Sequence, residues 1–129
     1  MRVLIADDEQ IIRFGLKSVL KGLCPNVIIN EVESLDNVVS ILTELHFDLL
    51  ILDIQMQGGD ELENLIQFLM REVKLVIFSG YEPTSTRIKS LRKAGVDQFI
   101  FKSASLEEIK LSLREYFPDR TESLGKQIS

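Results

Sequence analysis

Five short apolar runs punctuate the chain: Arg2–Ala6, Val27-Ile28-Ile29, Leu49–Leu52, Leu75-Val76-Ile77-Phe78 and Phe99–Phe101. Apart from Arg2, none carries a polar residue, so the alternation of a half-buried strand is missing. Such runs suit strands covered on both faces, as in a parallel sheet. Each is followed by a stretch whose apolar residues recur at helical spacing. Ile12, Leu16, Val19, Leu20 and Leu23 predict a helix over residues 10–21 that ends at Gly22, before Pro25. Ser34 is placed to cap a second helix with Leu35, Val38, Val39, Leu42 and Leu45 inward. A loop at Gly58-Gly59 leads to a third helix carrying Leu62, Leu65, Ile66, Leu69 and Met70. Pro83 fits the first turn of a fourth, whose stripe is Ile88, Leu91 and Ala94. Ser105-Leu106-Glu107-Glu108 has the form of a capping box and opens a fifth, with Ile109, Leu113, Tyr116 and Phe117 inward.

Strand followed by helix, five times over, predicts an α/β fold: a doubly wound parallel sheet with helices on both faces. The full 129 residues are within single-domain size, and one domain is expected over residues 1–118. Residues 119–129 are polar apart from Leu124 and Ile128, and read as a tail or the start of a linker.

Composition narrows the function mainly by exclusion. A net charge of −5 and a pI near 4.9 argue against nucleic-acid binding by this domain itself, which needs a cationic surface. Cys24 has no cysteine partner and His46 is the lone histidine, so there is no Cys/His set for zinc. His46, at the end of the second helix, reads as a surface or C-cap residue. No apolar run is long enough to span a bilayer, and the first residues enter a strand directly. No membrane partner and a cytoplasmic location are therefore expected.

A parallel sheet presents all its strand C-termini on one edge, where open α/β sheets bind their ligands. That edge would collect Asp7 and Asp8 from the first run, Asp53 from the third, Ser79 from the fourth and Lys102 from the fifth. An Asp after a strand is also a common turn former or helix cap, so Asp53 alone carries little. Three converging carboxylates, however, repel one another unless a cation sits among them. Oxygen ligands with room for water suit Mg²⁺ or Mn²⁺ better than zinc. Lys102 adds positive charge, and Ser79 with the following backbone N–H adds hydrogen-bond donors, a set that would hold a phosphoryl group. The simplest chemistry is nucleophilic attack by the Asp53 carboxylate on phosphorus, giving an acyl phosphate. The cation and Lys102 would offset charge on the transferring oxygens.

Asp7-Asp8 after the first run, Asp53 after Leu49–Leu52, Met56 three residues on, Ser79-Gly80 after the fourth run and Lys102 after Phe99–Phe101 form an ordered set. With it, residues 1–118 resemble the receiver (CheY-like) domain of two-component response regulators. The resemblance implies a flavodoxin-like (βα)5 sheet of strand order 2-1-3-4-5, and a signalling switch that catalyses its own phosphorylation and dephosphorylation and is no metabolic enzyme. It implies Asp53 as phosphoacceptor, Asp8 as a direct Mg²⁺ ligand, Asp7 acting through water, and the main-chain carbonyl of Gln55 as a further ligand. Ser79 would bond the phosphoryl group and Lys102 would pair with it. Phe99 stands where the family has its aromatic switch residue, a position that ordinary strand-core packing also explains. The implied donor is a phosphohistidine on a sensor histidine kinase or phosphotransfer protein. A homodimer on phosphorylation and a transcriptional output are further implications. The charge added to Asp53 would act on the loop after the fourth strand, the fourth helix and the fifth strand.

The chain departs from the family pattern in three places. Gln57 and Glu61 stand where Pro and Gly are usual, with Gly58-Gly59 between them. Ser103 follows Lys102 where a cis-bonded Pro is common, which leaves that bond cis or trans on sequence alone. Tyr81 stands two residues after Ser79, opposite Gln55 across the expected phosphoryl site. There it would shield an acyl phosphate from water, or be a partly exposed loop aromatic. Arg87, Lys89, Arg92 and Lys93 make a basic cluster on the fourth helix, read as a solvated face or as a kinase or dimer contact. Two other functions compete. A haloacid-dehalogenase-like phosphatase also uses a strand-end Asp with Mg²⁺, but it needs a second Asp where this chain has Gln55. A pseudo-receiver that binds partners without being phosphorylated is left open by Gln57 and Ser103.

Overall fold

The computed structural model describes residues 1–117, so the expected domain end at Pro118 and the tail over 119–129 lie outside the described residues. Five strands, β1 (Arg2–Ala6), β2 (Ile28–Val32), β3 (Leu49–Leu52), β4 (Lys74–Ser79) and β5 (Phe99–Phe101), alternate with five helices. The helices are α1 (Gln10–Leu23), α2 (Leu35–Glu44), α3 (Leu62–Glu72), α4 (Thr86–Lys93) and α5 (Leu106–Arg114), with a 3₁₀ turn at Gly59–Glu61. All four strand pairings are parallel, and the sheet order is β2-β1-β3-β4-β5. The expected doubly wound α/β sheet is therefore present.

Successive residues of each central strand point to opposite faces, and both faces are covered. Leu4, Ala6, Leu50, Leu52, Leu75 and Ile77 pack with residues of α2, α3 and α4, including Val38, Ile66 and Leu91. Val3, Ile5, Leu49, Ile51, Val76 and Phe78 pack with α1 and α5 through Leu16, Leu20 and Leu113. This is the physical reason the runs lack alternation: a polar residue on either face would lose its hydration with no partner in return. β2 is the exception. It is an edge strand, and its Asn30 and Glu31 are tolerated there because only one side is paired.

Several boundaries differ from the sequence expectation. Helix α1 does not stop at Gly22 but runs to Leu23, closed by the Cys24 N–H donating to the Leu20 carbonyl at 2.8 Å. Gly22 keeps a negative φ, so it is not the left-handed terminator the pattern implied. β2 covers residues 28–32 and not 27–29, because pairing with the whole of β1 from Arg2↔Ile28 to Ala6↔Val32 recruits its polar residues. Pro83 lies ahead of α4 and not in its first turn. Ser85 starts that helix by accepting the Ile88 N–H at 3.2 Å. Leu45 and Met70, expected inward, are exposed, whereas the remaining stripe positions of α2 and α3 are buried or half-buried. The caps at Ser34 and Ser105 are as expected, and Ser105 also donates to Glu108 Oε1 at 3.1 Å. The Lys102–Ser103 peptide bond is trans. Among the described residues, no helix is long and apolar enough to cross a membrane.

Arg13, on α1, is buried and was not singled out by the pattern. Its guanidinium donates to Glu31 Oε1 at 2.9 Å and to the Asp7 carbonyl at 2.7 Å, tying edge strand β2 to the end of β1. Lys17 reaches the other oxygen of Glu31 at 3.0 Å. Burial alone would raise the Glu31 pKa, but the bonds and charges of Lys17 and Arg13 together outweigh it and hold the carboxyl below its ordinary value. A depressed folded pKa means that the stability it contributes is present above the unfolded carboxylate range and is lost as pH falls through the folded value. Glu31→Gln is thus expected to lower the unfolding midpoint in urea near pH 7. The difference from wild type should begin to shrink as the pH falls to the ordinary glutamate value of about 4.3 and vanish below the depressed folded one.

Candidate functional site

The order of strands reverses between β1 and β3, and at this switch point an open α/β sheet has its natural crevice. Asp7 follows β1 and Asp53 follows β3, with neighbouring backbones held in register by the Asp53 N–H donating to the Ala6 carbonyl at 2.8 Å. Ser79 is the last residue of β4, and its carbonyl accepts from the Lys102 N–H at 2.7 Å, which sets Lys102 just past β5. All five residues expected at this edge are there.

Asp7 and Asp53 are each only 1% exposed and are built alike. Oδ1 of Asp7 accepts the Glu9 N–H at 2.8 Å, and Oδ1 of Asp53 accepts the Gln55 N–H at 2.9 Å. Each carboxylate thus uses one oxygen to fix the turn that follows its strand. The other oxygens face a shared ammonium: Lys102 Nζ lies 3.3 Å from Asp7 Oδ2 and 3.4 Å from Asp53 Oδ2. Both Oδ2 atoms are buried and have no hydrogen bond among the described residues. Glu9 Oε1 is a third acidic oxygen 3.7 Å from the same nitrogen, and Asp8 is exposed at the rim.

Negative charge is in excess here. Burial chiefly raises the Asp53 pKa, and the neighbouring Asp7 adds to the rise; the Gln55 N–H and Lys102 only partly oppose them. Burial works the other way on Lys102, but Asp53 and Asp7 outweigh it and its pKa is raised. Asp7, Asp8, Glu9 and Asp53 each bring an oxygen within 4.8 Å of the others. Two orphaned buried oxygens, an all-oxygen donor set and surplus negative charge fit a hard divalent cation. Glu9 was not among the expected ligands, although its place directly after Asp7-Asp8 was the available signal.

The other side of the crevice comes from β4 and the loop after it. Ser79 is fully buried, and its Oγ accepts the Tyr81 N–H at 2.9 Å, which leaves the hydroxyl proton free to donate outward. The Gln55 side chain crosses toward this loop; its Oε1 would lie 2.8 Å from a Cβ at Gly80. Tyr81 is 38% exposed beside it. Phe99 is half-buried, stacked on Phe101 at 6.1 Å and covered by the Arg92 guanidinium 4.6 Å from its ring centre. His46 stands at the opposite end of the sheet, at a cleft of about 510 Å³ also lined by Asp48, Lys74 and Asp97, and does not enter the acidic site.

The family model for the response regulator receiver domain matches residues 3–114. Response regulator GacA of Pseudomonas aeruginosa is 26% identical over 121 residues, covering 91% of this chain and 55% of that protein. Response regulator protein VraR of Staphylococcus saprophyticus is 26% identical over 119 residues, 91% of this chain and 56% of that protein. The chain therefore spans about half the length of these curated relatives. The crystal structure of a LuxR family DNA-binding response regulator from Silicibacter pomeroyi superposes with a TM-score of 0.73 at 27% identity, covering 94% of this chain and 98% of that one. With the family model matched over nearly all the described residues, and with the parallel 2-1-3-4-5 sheet carrying acids at its switch point, this chain belongs to the response regulator receiver domain family.

Proposed function

We propose that this domain is a phosphorylatable switch whose acceptor is Asp53, serving a two-component response regulator with a transcriptional output. The observation that carries the reading is the orphaned Oδ2 of Asp53. It is a buried carboxylate oxygen with no hydrogen bond among the described residues, held 3.4 Å from Lys102 Nζ at the end of a strand that pairs with β4, which ends in Ser79. In the reaction, an Asp53 oxygen forms a bond to phosphorus as the P–N bond of a phosphohistidine breaks, and the imidazole leaves with the bonding pair. The donor is a sensor histidine kinase or a phosphotransfer protein. Lys102 pairs with the developing charge, and Ser79 donates its free proton to a phosphoryl oxygen.

Asp8, Asp7, Asp53 and the Gln55 carbonyl would hold Mg²⁺ (or Mn²⁺). Bound there, the cation would supply positive charge that favours phosphoryl transfer. The Gln55 side chain and Tyr81 restrict water's approach to the acyl phosphate. Phe99 changes its packing as Ser79 and its loop respond, and carries the change to the face of α4 and β5, where a second copy docks. The protein works in the cytoplasm.

Acetyl phosphate with Mg²⁺ should place a hydroxylamine-labile phosphate on the wild-type domain and none on Asp53→Ala. Absence of incorporation into wild type, with no conformational response, would sink the reading in favour of a partner-binding pseudo-receiver.

A further inference from the structure

The loop that follows Asp53 lacks the Pro and Gly expected of it, and the structure shows what holds it instead. On one side the Gln57 carbonyl accepts the Leu35 N–H at 2.9 Å, anchoring the loop to the start of α2. Gly58 takes the left-handed conformation, φ 85°. Gly59 then folds so tightly against the chain before it that a Cβ there would fall 2.1 Å from the Ile54 carbonyl oxygen. On the other side the loop is gripped from α4: the Arg87 guanidinium donates through Nη2 to the Gly59 carbonyl. Its Nε lies 3.5 Å from Glu63 Oε1 at the start of α3, and Ser90, one turn along α4, approaches the same oxygen at 3.5 Å.

Arg87 was one of four residues in a cluster that its charge alone would place in solvent. Only 20% of its side chain is exposed. The grip is also incomplete, because the buried Nε has no hydrogen bond among the described residues. A fully satisfied guanidinium would be a fixed strut, whereas a half-satisfied one gives up less when it lets go. Meanwhile α4 is joined through residues 80–85 to Ser79, on the far wall of the same crevice. Helix α4 is therefore held by its side chain to the acceptor's loop and by its own chain to the hydroxyl that would meet a phosphoryl group.

We propose that Arg87 is a latch: it ties α4 to the acceptor loop while Asp53 is unmodified, and it is released when Asp53 carries a phosphoryl group. This rests on the acceptor reading above. The group on Asp53 and the latch then oppose each other, and linkage fixes the sign of the consequence. Whatever the latch holds back, a variant without it gives to the modified state.

The test compares wild type with Arg87→Met, Arg87→Lys and Glu63→Gln, using Mg²⁺ and the phosphoryl mimic beryllofluoride. Affinity is read by fluorine NMR and local opening by amide hydrogen exchange. Arg87→Met should bind beryllofluoride at least about fivefold more tightly than wild type, with Arg87→Lys and Glu63→Gln between them. Without the mimic, its residues 59–63 and 85–88 should already exchange at the faster rate that wild type reaches only when the mimic is bound. A purely structural role would leave affinity unchanged or weaken it in every variant, and that result overturns the latch. So does a wild type that binds the mimic while those two segments keep their exchange rates. If none of the four proteins binds it, the acceptor reading fails and the latch falls with it. Equal binding by all four leaves the acceptor reading standing and removes only the latch.

Discussion

Lys102→Met is expected to lower the stability of the metal-free domain at pH 7 by about 3 kcal/mol, the low end for a buried ion pair broken from one side. That is a large part of the roughly 5–15 kcal/mol that holds a domain folded. Lys102 Nζ stands between Oδ2 of Asp7 and Oδ2 of Asp53, both inaccessible to water and bonded to nothing else. Removing the ammonium while keeping the stem's volume leaves two like charges facing each other across the crevice. The Asp53 carboxyl, already raised by burial and by Asp7, loses the opposing charge of Lys102 and is pushed up further. A raised folded pKa gives stability that is complete below the unfolded value, about 3.9, and is lost as pH rises through the folded one. The deficit of Lys102→Met should therefore be small near pH 4 and grow toward neutrality. Urea unfolding across that range measures it, and added Mg²⁺ at pH 7 should recover part of the loss.

Asp53→Asn should act with the opposite sign on stability and abolish phosphorylation altogether. The Asp53 carboxylate is disfavoured by its burial and then by Asp7, which together outweigh the Gln55 N–H and Lys102. An Asn of the same shape keeps an oxygen for the Gln55 N–H and removes the charge. Metal-free Asp53→Asn should thus unfold at higher urea than wild type at pH 7. Its advantage should be absent near the unfolded carboxylate value and grow as pH rises through the raised folded value. An amide is no nucleophile toward phosphorus, so incorporation from acetyl phosphate should fall to background. The two substitutions should also be strongly non-additive. With Asp53 already neutral, Lys102→Met leaves one unpaired carboxylate, not two, and its effect should shrink accordingly.

How far these features could be read beforehand depends on the range over which each is determined. The strands were legible because two-sided burial leaves a local trace, an unbroken run such as Leu49–Leu52. Ser34 and Ser105 were legible because a cap is decided within three residues. Helix ends were less so. Gly22 looked like a terminator, but a glycine ends a helix only when its backbone turns left-handed, and here the chain stays helical for one residue more. Pro83 fitted a first turn on its own, yet Ser85 offered the better cap.

The acidic edge was legible because a parallel sheet collects strand ends wherever the strands lie. What the chain could not disclose was how each acid divides its work. Asp53 after a strand was open to two interpretations, turn former or reactive group; the geometry gives one oxygen to the turn and leaves the other buried without a hydrogen bond among the described residues, the oxygen on which the proposed acceptor role rests. Arg13, and the partners of Glu9 and Arg87, were not legible because the residues that meet lie far apart along the chain. Arg13 meets Glu31 on the edge strand, Glu9 meets Lys102 just past the last strand, and Arg87 on α4 meets Gly59 in the loop after β3. No periodicity reports such pairs. The bond after Lys102 was likewise settled only in three dimensions, as trans.

Whether Asp53 is the residue that accepts phosphate is tested most directly by borohydride trapping. The domain is incubated with acetyl phosphate and Mg²⁺, treated with sodium borohydride, which reduces an acyl phosphate to the alcohol, and mapped by peptide mass spectrometry. Homoserine at position 53, dependent on both acetyl phosphate and Mg²⁺, is the predicted result. Homoserine at position 7 or 8 instead, or at no position, would contradict the account.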